Sequence, residues 1–136
     1  MRIIPFLLVA VICPSALAQS NLGELLDRGA VRLGKEALTQ ELLASSWIIA
    51  PSPGEITYRA DGTYSGYEKV YNGGRGIFGT WEIDTEGKLC FLFAAHTQTP
   101  STPQCTYWYK LEDRYFASRA KFDRSAPIFA RVPKKP

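Results

Sequence analysis

Ile77-Phe78-Gly79-Thr80-Trp81-Glu82-Ile83-Asp84 decides the fold class. Ile77, Gly79, Trp81 and Ile83 alternate against Thr80, Glu82 and Asp84, the period-two pattern of a half-buried β-strand. Glu86-Gly87 then turns the chain into Lys88 to Ala94, a run apolar on both parities. Upstream, Trp47-Ile48-Ile49-Ala50 is a short strand stopped by Pro51-Ser52-Pro53-Gly54. Glu55 to Ala60 and Thr63 to Tyr71 follow as strands. Asp61-Gly62 between them suits a two-residue hairpin turn, whose central residues both take positive φ. Asn72-Gly73-Gly74 ends the later of the two. Downstream, Ala95 to Pro103 holds two prolines, four hydroxyl residues and His96, and is predicted as a loop. Gln104 to Leu111, a tight turn at Glu112-Asp113, and Arg114 to Ala120 complete the next hairpin. Pro127 to Val132 is predicted as an edge strand, because prolines cannot donate to a ladder.

About 7–8 short strands joined by tight turns predict a mostly-β fold, a small antiparallel β-barrel over residues 47–132. Residues 133–136 read as a frayed tail. A barrel of eight short strands has an interior that side chains can fill, so no large ligand cavity is expected. The whole chain of 136 residues is enough for one domain. Its 46% hydrophobic and 21% charged composition fits a packed globular protein.

Residues 19–46 are predicted to be a helical segment closing one barrel end. Asn21 can cap a helix, with Glu24 three residues on completing a capping box. Leu22, Leu25, Leu26, Leu33 and Ala37 share a face at helical spacing. Gly29 and Gly34 each cost about 1 kcal/mol in a helix relative to Ala, so two pieces are expected. The second is predicted from Thr39, as a cap, through Ser45, with Leu42 and Leu43 inward.

The first residues have a different purpose. Arg2 precedes an apolar run from Ile3 to Ile12, and Ala16-Leu17-Ala18 is an A-x-A cleavage site. This is the layout of a secretory signal peptide, cleaved after Ala18. The run is about ten residues, against the ~20 of a spanning helix, so no transmembrane segment is expected in the mature chain. Cleavage also removes Cys13. Cys90 and Cys105 are then the two remaining cysteines, and in an oxidising compartment they are expected to pair.

Charge and motifs exclude several function classes. A formal charge of +3 gives no signal for nucleic acid. Two cysteines and one distant histidine make a poor zinc site, so neither metal nor cofactor is expected. No G-x-S-x-G elbow supports a nucleophile, and Asn72 to Gly76 lacks the Lys-Ser/Thr ending of a phosphate loop. No catalytic residue is assigned. Aromatic residues fall on both parities of Gln104 to Leu111, as barrel core or as a patch at a barrel mouth. Tyr67, Tyr71, Tyr107 and Tyr109 are the candidate contacts for a ligand or partner, with Arg75 or Arg114 for an anionic group. From Lys110 onward there are eight basic and three acidic residues, most simply a solvated face.

Leu38-Thr39-Gln40-Glu41-Leu42, Asp61-Gly62-Thr63-Tyr64, Gly79-Thr80-Trp81-Glu82-Ile83, Gly87-Lys88-Leu89-Cys90 and the later Cys105 form a recurring order of motifs. This run, Leu38 to Ser118, resembles a family of small exported bacterial proteins of unknown function with a lipocalin-like barrel. The resemblance brings no activity or catalytic residue. A looser resemblance joins Leu42 to Trp47 to the helix and G-x-W of lipocalins and bacterial barrel-type protease inhibitors, with serine in place of the glycine. The resulting expectation is a non-enzymatic exported binding or accessory protein of the periplasm or cell envelope. Its partner would be an unidentified small molecule or envelope protein. The alternative is a barrel-type inhibitor of a periplasmic or secreted hydrolase, using the loop at 71–76 or 95–103.

Overall fold

The computed structural model describes residues 21–49, 54–70, 73–93 and 102–134. The predicted signal peptide, Tyr71, His96 and most of the 95–103 loop lie outside them. The described chain runs α1 (Leu22–Asp27), β1 (Val31–Arg32), α2 (Lys35–Ala44), β2 (Ser46–Ile49), β3 (Gly54–Tyr58) and β4 (Thr63–Val70). It continues through β5 (Gly73–Ile83), β6 (Lys88–Phe93), β7 (Gln104–Leu111), β8 (Arg114–Ser118) and β9 (Phe129–Lys134).

From β2 to β9 each strand pairs antiparallel with the next. β9 then pairs with β2, which closes an eight-stranded up-and-down barrel. Closure leaves no open edge among these strands. The strand predicted at an edge is therefore the closing one. β8 pairs with β9 only as far as Arg131, whereas β2 continues along Val132, Pro133 and Lys134. A proline is tolerated there because one side of the strand has no ladder to supply. For the same reason Pro133 and Lys134 belong to the barrel rather than to a frayed tail.

The predicted helical segment is divided differently from expectation. Asn21 does cap α1, accepting a hydrogen bond from the Glu24 N–H at 2.9 Å. Leu33 is not helical. Its N–H donates to the Trp108 carbonyl, and β1 pairs with Lys110 and Tyr109, so this stretch extends the sheet beside β7. α2 starts at Lys35, not Thr39; Gly34 is its N-cap and offers no side chain. Lys-Glu-Ala-Leu-Thr-Gln-Glu is a run rich in strong helix formers, and it outweighs the capping preference of Thr39. The Thr39 hydroxyl instead donates back to the Lys35 carbonyl, at 2.7 Å.

Two apolar clusters divide the work. Inside the barrel, Trp47, Ile56, Tyr58, Tyr64, Ile83, Leu89, Trp108 and Tyr115 pack with Leu38 and Leu42 of α2. α2 is too short to be stable alone in water, so this packing holds it. It closes one end of the barrel. The Trp47 indole donates to the Leu42 carbonyl at 3.3 Å, and the Tyr115 hydroxyl donates to Glu41 at 2.7 Å. Outside the barrel, Leu22 and Leu25 of α1 cover Tyr109 and Phe116. Only one helix is thus a plug; the other shields the outer wall of β7 and β8.

The hairpin between β3 and β4 is longer than two residues. The Arg59 N–H donates to the Thr63 carbonyl, and the Gly62 N–H to the Arg59 carbonyl. Gly62 alone of the pair takes positive φ, at 85°. This is the three-residue loop in which a turn is followed by one left-handed residue. Asp61 instead caps it, accepting from the Thr63 N–H at 2.9 Å and the Thr63 hydroxyl at 2.6 Å. Those bonds hold its carboxyl below the usual aspartate range.

Cys90 and Cys105 lie directly opposite each other on β6 and β7 and form a disulfide, with Cα atoms 4.1 Å apart. Their parity is that of Tyr107 and opposite to that of Leu89 and Trp108, so the bridge lies on the outer wall.

Burial pushes the Tyr64 phenol up to about 12, and burial raises that of Tyr58 further. An unfolded chain releases these protons near pH ~10. Stability is therefore full below pH ~10 and falls as pH rises toward about 12. Urea midpoints measured across that window should decline, with tyrosinate absorbance appearing only as the barrel unfolds.

Candidate functional site

The barrel has a second end, opposite α2. A cavity of about 330 Å³ lies there. It is bordered by Ile49 at the end of β2, Gly54 at the start of β3, Phe93 at the end of β6 and Gln104 at the start of β7. Ile56, Ile77 and Phe91 supply further apolar wall, Glu68, Arg119 and Arg131 the polar part, and Tyr67, on the outward parity beside Glu68, borders the space. The volume lies at the lower end of the ~300–1,000 Å³ usual for small-molecule pockets.

Small residues and large ones shape this space together. A Cβ on Gly79 would overlap the Leu92 carbonyl oxygen and crowd the Tyr64 hydroxyl at 2.9 Å. With glycine there, the Tyr64 hydroxyl donates to Leu92 across the barrel wall, at 3.3 Å. Its ring meets Phe91 and Phe93 edge-on, with centroids 5.9 Å and 6.2 Å away. Phe91 and Phe93 are themselves edge-to-face at 5.5 Å. Gly79→Ala should cost about 1–3 kcal/mol by overpacking, read as a lower urea midpoint. An unchanged midpoint would mean that β5 and β6 are less closely apposed.

Arg131 is the unusual member. It sits on β9 opposite Ile49, on the inward parity shared with Pro133 opposite Trp47. Its Nη1 donates to the Ala130 carbonyl at 3.1 Å. Among the described residues no carboxylate pairs with it. Burial pushes its guanidinium below the ordinary arginine range, and Tyr58 opposes part of that shift. It remains charged at neutral pH. Among the described residues of the cavity wall the one acid, Glu68, is already held by Arg75, through Nη2 at 2.7 Å and Nε at 3.0 Å. Arg119, at the mouth, is likewise without an ion pair among the described residues. The described wall of the cavity therefore carries net positive charge among apolar side chains.

The residues singled out from the sequence do not form one site. Tyr67 lines the cavity and is half exposed. Arg75 stands beside it, through Glu68. Tyr107 and Tyr109 lie on the outer wall. Tyr107 has the Arg32 guanidinium over its ring at 6.0 Å. Tyr109 is 1% exposed, and its hydroxyl donates to the Lys121 carbonyl at 2.9 Å. Arg114 is at the plugged end, over the Phe116 ring at 5.2 Å. Trp81, on the inward parity of β5, is partly buried against the core; its indole N–H donates to the Arg59 and Thr63 carbonyls, each at 3.0 Å. Arg131, Arg119, Phe91 and Phe93 were not singled out as contacts. A signal existed for one of them: Arg131 interrupts the apolar run Ile128-Phe129-Ala130.

Among the described residues no group of three or more His, Cys, Asp or Glu could hold a metal ion. No helix among them is long and apolar enough to cross a membrane. Comparison with known proteins finds no matching family model, curated protein or solved structure.

Proposed function

We propose that this chain is an exported, non-enzymatic binding protein of the periplasm or cell envelope, whose barrel holds a small molecule at the end opposite α2. The observation that carries the reading is the cavity of about 330 Å³, apolar-walled with a few convergent polar groups. Export is supported by the leader layout of Arg2 to Ala18 and by the Cys90–Cys105 bridge, which suits an oxidising compartment. The motif order from Leu38 to Ser118 supports kinship with small exported lipocalin-like proteins. A binder is favoured over a catalyst because the polar side chains of the cavity, among the described residues, are two arginines, an amide and a carboxylate engaged by Arg75. That set offers no nucleophile beside a free base.

Native mass spectrometry of the protein from its own producer tests the reading. A discrete extra mass, lost on denaturation, is expected. The recovered molecule at 100 times its Kd should stabilise the barrel by about 2.7 kcal/mol. A bare chain throughout would overturn the reading. A second polypeptide in place of a small molecule would instead favour hydrolase inhibition.

A further inference from the structure

We propose that the ligand is an amphiphilic organic anion, its charged head on Arg131 and its apolar body against Ile49, Ile77, Phe91 and Phe93. The inference rests on the binding reading above and adds the ligand's chemical class. A guanidinium carries five donors, and the bond to the Ala130 carbonyl occupies one of them. A barrel interior is a costly place for a charge without a counter-charge. The chain had an acid to offer, but Glu68 is turned to Arg75. Among the described residues no other group claims Arg131, which is left for something from outside. A carboxylate or similar head matches the guanidinium fork in geometry as well as charge. Arg119 at the mouth adds attraction for the same sign. The remaining walls are aliphatic and aromatic, so a small hydrophilic anion would leave them unused.

A neutral amphiphile is the main competitor, with Arg131 held by water. The two differ in one property, which a matched pair of probes isolates. Octanoate and octan-1-ol share an eight-carbon chain and differ in the charged head. Calorimetric titration of both into the full mature chain at neutral pH should show octanoate about tenfold tighter or more. Arg131→Met should abolish that preference. It should also raise the melting temperature of the free protein, since a half-buried charge with no counter-charge among the described residues is replaced by an apolar chain of similar volume. Arg131→Lys should keep part of the preference, and Arg119→Gln should weaken it less than Arg131→Met.

Equal binding of both probes by the native sequence would overturn the anion inference and leave the binding reading intact. So would a preference that survives Arg131→Met. Failure of both probes, with a bound neutral molecule found by native mass spectrometry, would likewise refute only the anion class. Failure of both, with no bound molecule at all, would refute the binding reading itself. Were Arg131→Met not to fold, the probe pair on the native sequence would still decide.

Discussion

Trp47→Ala should cost the barrel about 3–5 kcal/mol, the largest effect expected of any single substitution in this chain. Trp47 is 1% exposed and stands where three parts of the fold meet. Its ring is edge-on to Trp108 at 4.9 Å and to Tyr115 at 5.0 Å. Its indole N–H reaches the Leu42 carbonyl, at the C-terminal end of α2. Truncation therefore opens a large cavity and releases the plug together. Urea unfolding followed by the remaining tryptophans reads the loss. A cost under about 1 kcal/mol would mean that Trp47 faces outward and that the register of β2 is wrong.

Removing the disulfide is the second large effect. Cys90 and Cys105 are 15 residues apart, and closing a loop of that size contributes about 3 kcal/mol through the entropy of the unfolded chain. The bridge lies on the outer wall, so Cys90→Ser with Cys105→Ser removes little packing. The double variant should retain the native far-ultraviolet spectrum while its urea midpoint falls. Reductant should lower the midpoint of the native sequence by the same amount and leave the double variant unchanged. An equal response of both proteins to reductant would show that the bond is not the source.

The strand pattern was legible because it is local. Ile77 to Ile83 alternates, Gly62 and Gly87 mark the turns, and two cysteines in paired strands end opposite each other. A barrel was legible, but which strand closes it was not. The prolines of residues 127–133 argue for an edge when each strand is considered alone. β9 accommodates Pro133 because β8 ends its pairing at Arg131, a property of neighbouring strands. The assignment of faces was hidden for a similar reason. Tyr109 is buried, yet on the outer wall, because α1 lies over it. Period two separates the faces of a strand but does not say which is inside. Arg131 was concealed most effectively. Counted with the basic residues after Lys110, it belongs to a solvated face; only closure between β9 and β2 turns it inward.

The central claim is that the end opposite α2 receives a ligand. Methyl-selective NMR of the mature chain, titrated with octanoate, tests it most directly. Ile49 and Ile77 line the cavity, whereas Leu38 and Leu42 are buried on the inner face of the plug helix and Ile48 and Val132 are exposed on the outer wall. The account predicts shifts at Ile49 and Ile77, with the other four nearly still. Shifts confined to Ile48 and Val132, or to Leu38 and Leu42, would place binding elsewhere and contradict it.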